Sequence, residues 1–279
     1  MNPDLEAAER GSGAEFARYA DLVLPARFAD LQREWSAIRQ RCGLLDARFR
    51  ALLRLTGPDR TTFLQGMITN DVVKLQNGQG AYAALLNIQG RVVSDIRVYV
   101  LAEELWLEVP AARASVVRET LEHHIIADDV EVVTDDRAPL VILEGPQAAR
   151  TVRGVFGEDV GELPPLAHRE LELDGSPVRL AAVTHTGESG YLVFGNSAAA
   201  ANVWQRCRAA GAEPVGMEAL DVLRLEAGVP WYGRDMDESM LISEVGLEAA
   251  ISYRKGCYLG QEVVERVAAR GQVHRKLVG

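Results

Sequence analysis

Two stretches of this chain repeat the same order of residue types. Leu52-Leu53-Arg54-Leu55-Thr56-Gly57-Pro58 is echoed by Leu140-Val141-Ile142-Leu143-Glu144-Gly145-Pro146. Each reads as an apolar strand closed by Gly-Pro, with a helix expected to follow, because proline is tolerated in the first turn of a helix and glycine at a sharp bend. The echo continues downstream. Leu105-Trp106-Leu107-Glu108-Val109 precedes helical spacing at Ala114, Val117, Leu121 and Ile125, and Tyr191-Leu192-Val193-Phe194 precedes Ala200, Val203 and Cys207. The pattern predicts two copies of a strand-helix-strand-strand-helix-strand unit, an α+β arrangement of the ferredoxin-like kind.

The expected boundaries follow from this repeat. Residues 1–23 are polar and rich in small residues, and read as a disordered tail. Residues 24–50 form an N-terminal helix on the spacing Phe28, Leu31, Trp35, Ile38 and Cys42. The first ferredoxin-like unit spans 51–136 and the second 137–230, whose last helix carries Met217, Leu220, Leu223 and Ala227 and stops at Gly228. Residues 231–279 are loop-rich, with a short helix opening at Gly260-Gln261-Glu262 and a strand beginning at Gln272. A chain of 279 residues is long enough for two packed cores.

The net charge of −10 argues against wholesale coating of nucleic acid or an anionic membrane. No stretch reaches the roughly 18 to 20 apolar residues of a membrane span, and the first twenty residues lack the apolar core of a signal peptide. A cytoplasmic protein without membrane contact is expected. Cys42, Cys207 and Cys257 are too few and too scattered for a disulfide framework, and with no CxxC pair no protein-only metal site is expected.

The most specific run is Lys255-Gly256-Cys257-Tyr258-Leu259-Gly260-Gln261-Glu262, of the form KGCYxGQE. Cys257 stands after Arg254-Lys255 and before a helix, two features that lower a thiol pKa, although a lone cysteine is more often an inert buried residue. From Arg254 to Lys276 the residues Arg254, Lys255, Arg266, Arg270, Arg275 and Lys276 outnumber Glu262 and Glu265. That local reversal of sign reads as a solvated helix face, or as a weak contact for an acidic partner or an RNA backbone at 254–276.

With Phe63-Leu64-Gln65-Gly66-Met67-Ile68-Thr69-Asn70-Asp71-Val72, Thr186-Gly187-Glu188-Ser189-Gly190-Tyr191 and Leu223-Arg224-Leu225-Glu226-Ala227-Gly228, the chain resembles the YgfZ-type folate-binding proteins of the glycine-cleavage T-protein superfamily. The resemblance implies two ferredoxin-like domains around a folate cavity, with a C-terminal barrel largely missing from this chain. It implies tetrahydrofolate or a one-carbon derivative as ligand, and iron–sulfur proteins or their assembly factors as partners, including enzymes of tRNA modification. The competing reading is a tetrahydrofolate-dependent aminomethyltransferase of the T-protein type, and a third is an interaction module whose pocket has decayed.

Glu188 is the expected acceptor for the ligand's aminopyrimidinone N–H donors, against the plain reading of a solvated turn acid. Asp95 matches the acid facing folate's reactive nitrogen and is the candidate for any catalysis. Its alternative is an Asp95–Arg97 pair on a wet sheet face. Arg224 supplies a cation for an anionic ligand, or else pairs with Asp221 one turn away. Tyr191 and Met67 form apolar walls or simply pack in the core.

Overall fold

The fold comes from a computed structural model that describes residues 3–161 and 163–271. It divides into two compact units, each built from two separated stretches: Ala51–Thr134 with Pro230–Gly279, and Asp135–Val229 with Met1–Arg50. Each repeat is therefore completed by the terminus farther from it in sequence.

In the first unit the strands lie in the order Gly80–Leu86, Val92–Val100, Leu105–Pro110, Arg50–Thr56, Glu131–Val133. In the second the order is His168–Leu173, Ser176–Ala182, Gly190–Asn196, Arg137–Glu144, Gly43–Asp46, Glu213–Pro214. The α+β reading of the repeat holds, with one refinement. Three consecutive antiparallel strands, rather than two, separate the helices of each copy. The helices are Arg60–Met67 and Ala114–His124 in the first and Ala148–Phe156 and Ala200–Ala209 in the second. Val117, Leu121, Val203 and Cys207 are buried where the helical spacing places them.

The two Gly-Pro turns do the same work. Gly57 has φ +96° and a Cβ there would stand 2.1 Å from the carbonyl oxygen of Asp129; Gly145 has φ +129° and its Cβ would stand 2.5 Å from that of Arg41. Two residues on, the amide of Asp59 donates to Asp129 at 3.3 Å and that of Gln147 donates to Arg41 at 2.8 Å. Only glycine permits both the left-handed backbone and the close approach.

The N-terminal segment differs from the expectation of a disordered tail. Pro3–Gly11 is a helix, and Glu15–Tyr19 pairs with Leu22–Arg27 as a hairpin. Leu5 and Leu24 are each 1% exposed, and Leu5 joins the core of the second repeat with Leu143, Val152 and Trp204. Burial of one such leucine contributes roughly 1.5 to 3 kcal/mol toward holding a short polar helix that could not stand alone. The next helix covers only Leu31–Gln40, capped by Asp30, whose side chain accepts from the Arg33 amide at 2.9 Å. It ends before Cys42 because Gly43, where a Cβ would stand 2.4 Å from Ile38, starts a strand instead.

The C-terminal stretch is likewise integral. Met236, Ile242, Val245, Leu247, Ile251, Tyr258 and Val264 pack with Ala84, Leu86 and Val92 of the first repeat's sheet. The strand expected from Gln272, with Arg275 and Lys276, lies outside the described residues. Among the described residues no helix is long and apolar enough to cross a membrane.

Candidate functional site

The loop 183–189 joins the strands Ser176–Ala182 and Gly190–Asn196 and carries Glu188. It is pinned from beneath by Glu144, the last residue of its own first strand and 0% exposed. Glu144 Oε1 accepts from the His185 amide at 2.7 Å and lies 2.8 Å from His185 Nδ1. Its Oε2 accepts from the Thr186 amide at 3.0 Å and from Thr186 Oγ1 at 2.5 Å. One carboxylate thus satisfies the buried polar groups of two loop residues, and the loop has little freedom left.

Glu188 is not a solvated turn acid. Arg39, on the helix Leu31–Gln40, donates from Nη1 to Glu188 Oε1 at 2.8 Å and also reaches the Thr186 carbonyl at 3.4 Å. Its Nη2 donates to Glu226 Oε2 at 2.7 Å, and the indole nitrogen of Trp35 stands 3.1 Å from the same oxygen. The carboxylates raise the Arg39 pKa, Glu226 first and Glu188 next, so the guanidinium stays charged. Arg39 therefore joins the loop carboxylate of Glu188, which keeps 29% of its side chain open, to the Glu226 carboxylate of a second helix.

Arg224, on the helix Met217–Glu226, is 3% exposed rather than a surface residue. Its Nε donates to Asp221 Oδ1 at 2.8 Å and its Nη1 to the Val229 carbonyl at 3.3 Å. The pairing with Asp221 anticipated from spacing is present, but inside the unit. Tyr191, 6% exposed, packs in the core with Leu143 and Val193 and donates its hydroxyl to the Gly161 carbonyl at 3.4 Å.

Asp95 and Met67 belong to the other unit. The strand Val92–Val100 alternates as expected, with Ile96 and Val98 in the core, yet Asp95, Arg97 and Tyr99 on the opposite face are 5%, 9% and 0% exposed. That face is not wet. Arg97 is held by Glu108, at 2.5 Å, and Tyr99 donates to the same carboxylate at 2.7 Å. Met67, 5% exposed, packs with Phe63, Leu64 and Val72.

The KGCYxGQE run separates into a clamp and one free thiol. Lys255 Nζ donates to the carbonyls of Gln65, Ile68 and Asn70 at 2.6, 2.5 and 2.9 Å, capping the helix Arg60–Met67. Burial pulls its pKa down to about 8, and those three acceptors match the three protons of the ammonium form. Its charge is therefore withdrawn from the basic patch expected at 254–276.

Gly260, at φ +80°, fits where a Cβ would stand 2.5 Å from the Asn87 carbonyl. Tyr258 is buried, and its amide donates to Gln261 Oε1 at 3.2 Å. Gly256, Cys257 and Glu262 remain exposed. The helix Gln261–Arg270 starts after Gly260, so Cys257 does not sit at its first turn. Cys42 and Cys207 are buried, and burial pushes the Cys42 thiol up to about 11 and raises Cys207 further.

Sequence reasoning missed Arg39, Glu144 and Glu226. Arg39 lies among the polar positions of an amphipathic helix and gives no signal of its own. Glu144 does: a single charge closing an apolar strand, where the first repeat has Thr56, is a position that must find buried partners.

The GCVT N-terminal domain matches residues 5–255 of this chain. An aminomethyltransferase of Rubrobacter xylanophilus is 33% identical over 97% of the chain and 73% of its own length. One from Synechococcus sp. strain RCC307 is 32% identical over 97% and 76%. The crystal structure of glycine cleavage system aminomethyltransferase T from Bartonella henselae superposes with a TM-score of 0.88 at 24% identity, over 96% of this chain and 74% of that one.

Proposed function

Because the chain belongs to the family of the GCVT N-terminal domain, we propose that it binds a reduced folate and works on the one-carbon unit which that folate carries. The activity read here is tetrahydrofolate-dependent aminomethyl transfer of the glycine-cleavage T-protein type. The observation that carries it is the match, across nearly the whole chain, to relatives named aminomethyltransferase. Tetrahydrofolate supplies the nitrogen that takes up the one-carbon unit. Glu188, with Oε2 unpartnered among the described residues, accepts the N–H donors of the aminopyrimidinone edge. Arg224 contributes positive charge toward the anionic ligand.

The test is calorimetric titration with 5-formyltetrahydrofolate, followed by an assay of methylene transfer from an aminomethylated lipoyl carrier. Glu188→Gln is expected to weaken binding by roughly 1.5 to 3 kcal/mol, because an amide replaces one acceptor oxygen with a competing donor. An unchanged dissociation constant removes Glu188 from the site.

A second reading is favoured by the KGCYxGQE run and its exposed Cys257: a YgfZ-type accessory protein that binds folate and supports assembly or repair of iron–sulfur enzymes, among them those that modify tRNA. Folate binding without methylene transfer, together with loss of iron–sulfur enzyme activity in cells carrying Cys257→Ser, would select it over the first.

A further inference from the structure

We propose that Arg39 is a positioning residue, which holds the Glu188 carboxylate end-on so that its second oxygen stays available to the paired N–H donors of a 2-aminopyrimidinone ring. The inference rests on the role of Glu188 proposed above.

Left to itself, an arginine beside a carboxylate closes a two-pronged grip on both oxygens. Here it does not. Nη1 takes only Glu188 Oε1, at 2.8 Å, while Nη2 is drawn away to Glu226 Oε2 at 2.7 Å. Glu226 is itself steadied by the Trp35 indole. Splitting the guanidinium between two carboxylates leaves Glu188 with Oε2 and one lone pair of Oε1, the capacity a pair of donors requires. The loop backbone beneath Glu188 is fixed independently by Glu144, which leaves Arg39 to set where the carboxylate itself points.

A consequence follows for a residue that is given no contact with the ligand. Without Glu226, the freed arm of Arg39 can turn onto Glu188 and occupy the second oxygen. Glu226 therefore acts only through Arg39.

The experiment is calorimetry with 5-formyltetrahydrofolate and with its 2-desamino-2-methyl analogue, which lacks one of the paired donors. Arg39→Ala is expected to weaken the parent compound about tenfold, the scale of one charged hydrogen bond, and the analogue much less. Glu226→Ala is expected to weaken the parent severalfold. The double variant should be no weaker than Arg39→Ala alone, and Arg39→Lys should restore part of the affinity.

Wild-type affinity in Arg39→Ala overturns the proposal, as does an equal loss for both ligands, the mark of a merely structural residue. If Arg39→Ala fails to fold, Glu226→Ala, which changes an exposed side chain, decides: unaltered affinity there overturns the proposal. Glu188→Gln is measured alongside. If it weakens binding and neither Arg39→Ala nor Glu226→Ala does, only the role of Arg39 falls; if it too is without effect, the reading of Glu188 falls first.

Discussion

The two repeats have the same order of strands and helices, yet they close their sheets differently. In the first, the strand Glu131–Val133 pairs antiparallel with Arg50–Thr56 and the repeat supplies its own edge. In the second, Gly43–Asp46 takes that place beside Arg137–Glu144, and the repeat's own last strand, Glu213–Pro214, is left to pair parallel with the newcomer over two residues. The shared Gly-Pro turn shows that the slot is the same one: Gly57 abuts the segment leading into Glu131–Val133, and Gly145 abuts the segment leading into Gly43–Asp46. A duplicated fold leaves one such slot per copy, filled by the repeat's own strand in the first and by a strand of the N-terminal segment in the second. By taking this slot, the N-terminal segment also brings Arg39 to Glu188, so the asymmetry of the second repeat and its candidate site have one origin.

The largest expected effect tests the residue at which the two copies differ most. Glu144→Ala removes the acceptor of the His185 amide, the His185 ring and the Thr186 hydroxyl and should cost about 3 to 5 kcal/mol, whereas Thr56→Ala, at the matching position, should cost under about 1 kcal/mol. Urea unfolding of both variants measures this, and comparable losses would remove the energetic distinction between the repeats. Next come the two glycines at which the copies agree. Gly57→Ala and Gly145→Ala should each cost about 2 to 3 kcal/mol, because both place a side chain at positive φ against a carbonyl. If one of the pair proves neutral, the shared turn is not a shared constraint.

The repeats are also separated by pH. Glu9, 0% exposed in the second unit, has its pKa pushed up to about 9 by burial and then by Asp46, with Arg48 opposing. The native state therefore holds a proton that the unfolded chain releases near 4.5. Its contribution is fully present below the unfolded value and is lost as pH rises through about 9. Melting scans from pH 5 to 9 should show stability declining across that window, and Glu9→Gln, a neutral isostere, should flatten the decline and raise the melting point at pH 8. A slope unaltered in Glu9→Gln would show that other groups set it.

The smallest effect concerns the thiol. Cys257→Ser should change stability by less than about 0.5 kcal/mol, since the side chain is exposed. Near neutral pH, Cys257 should alkylate faster than Cys42 or Cys207, both buried with raised pKa values. Equal labelling rates would show that exposure does not distinguish it.

Periodicity carried the local part of this fold. Helices placed by Val117 and Leu121, or by Val203 and Cys207, reveal themselves because a helix must bury one stripe, and the Gly-Pro turns reveal themselves because glycine accepts a left-handed backbone and proline suits the start of the helix that follows. The N-terminal helix escaped the same logic, since a nine-residue segment with one leucine has no stripe to detect. Glu188, Asp95 and Arg224 were found through resemblance, and Arg39, Glu144 and Glu226 were not, because a partner is recognised only once its position is known.

The sequence by itself therefore determined the repeated unit, its helices and strands and the turns that join them, all set by forces acting within a few residues. Only the tertiary structure decided which terminus completes which repeat, why Lys255 serves as a helix cap, and how one arginine is divided between two carboxylates. Those outcomes depend on contacts between residues more than a hundred positions apart, where no local pattern in the chain records the partner.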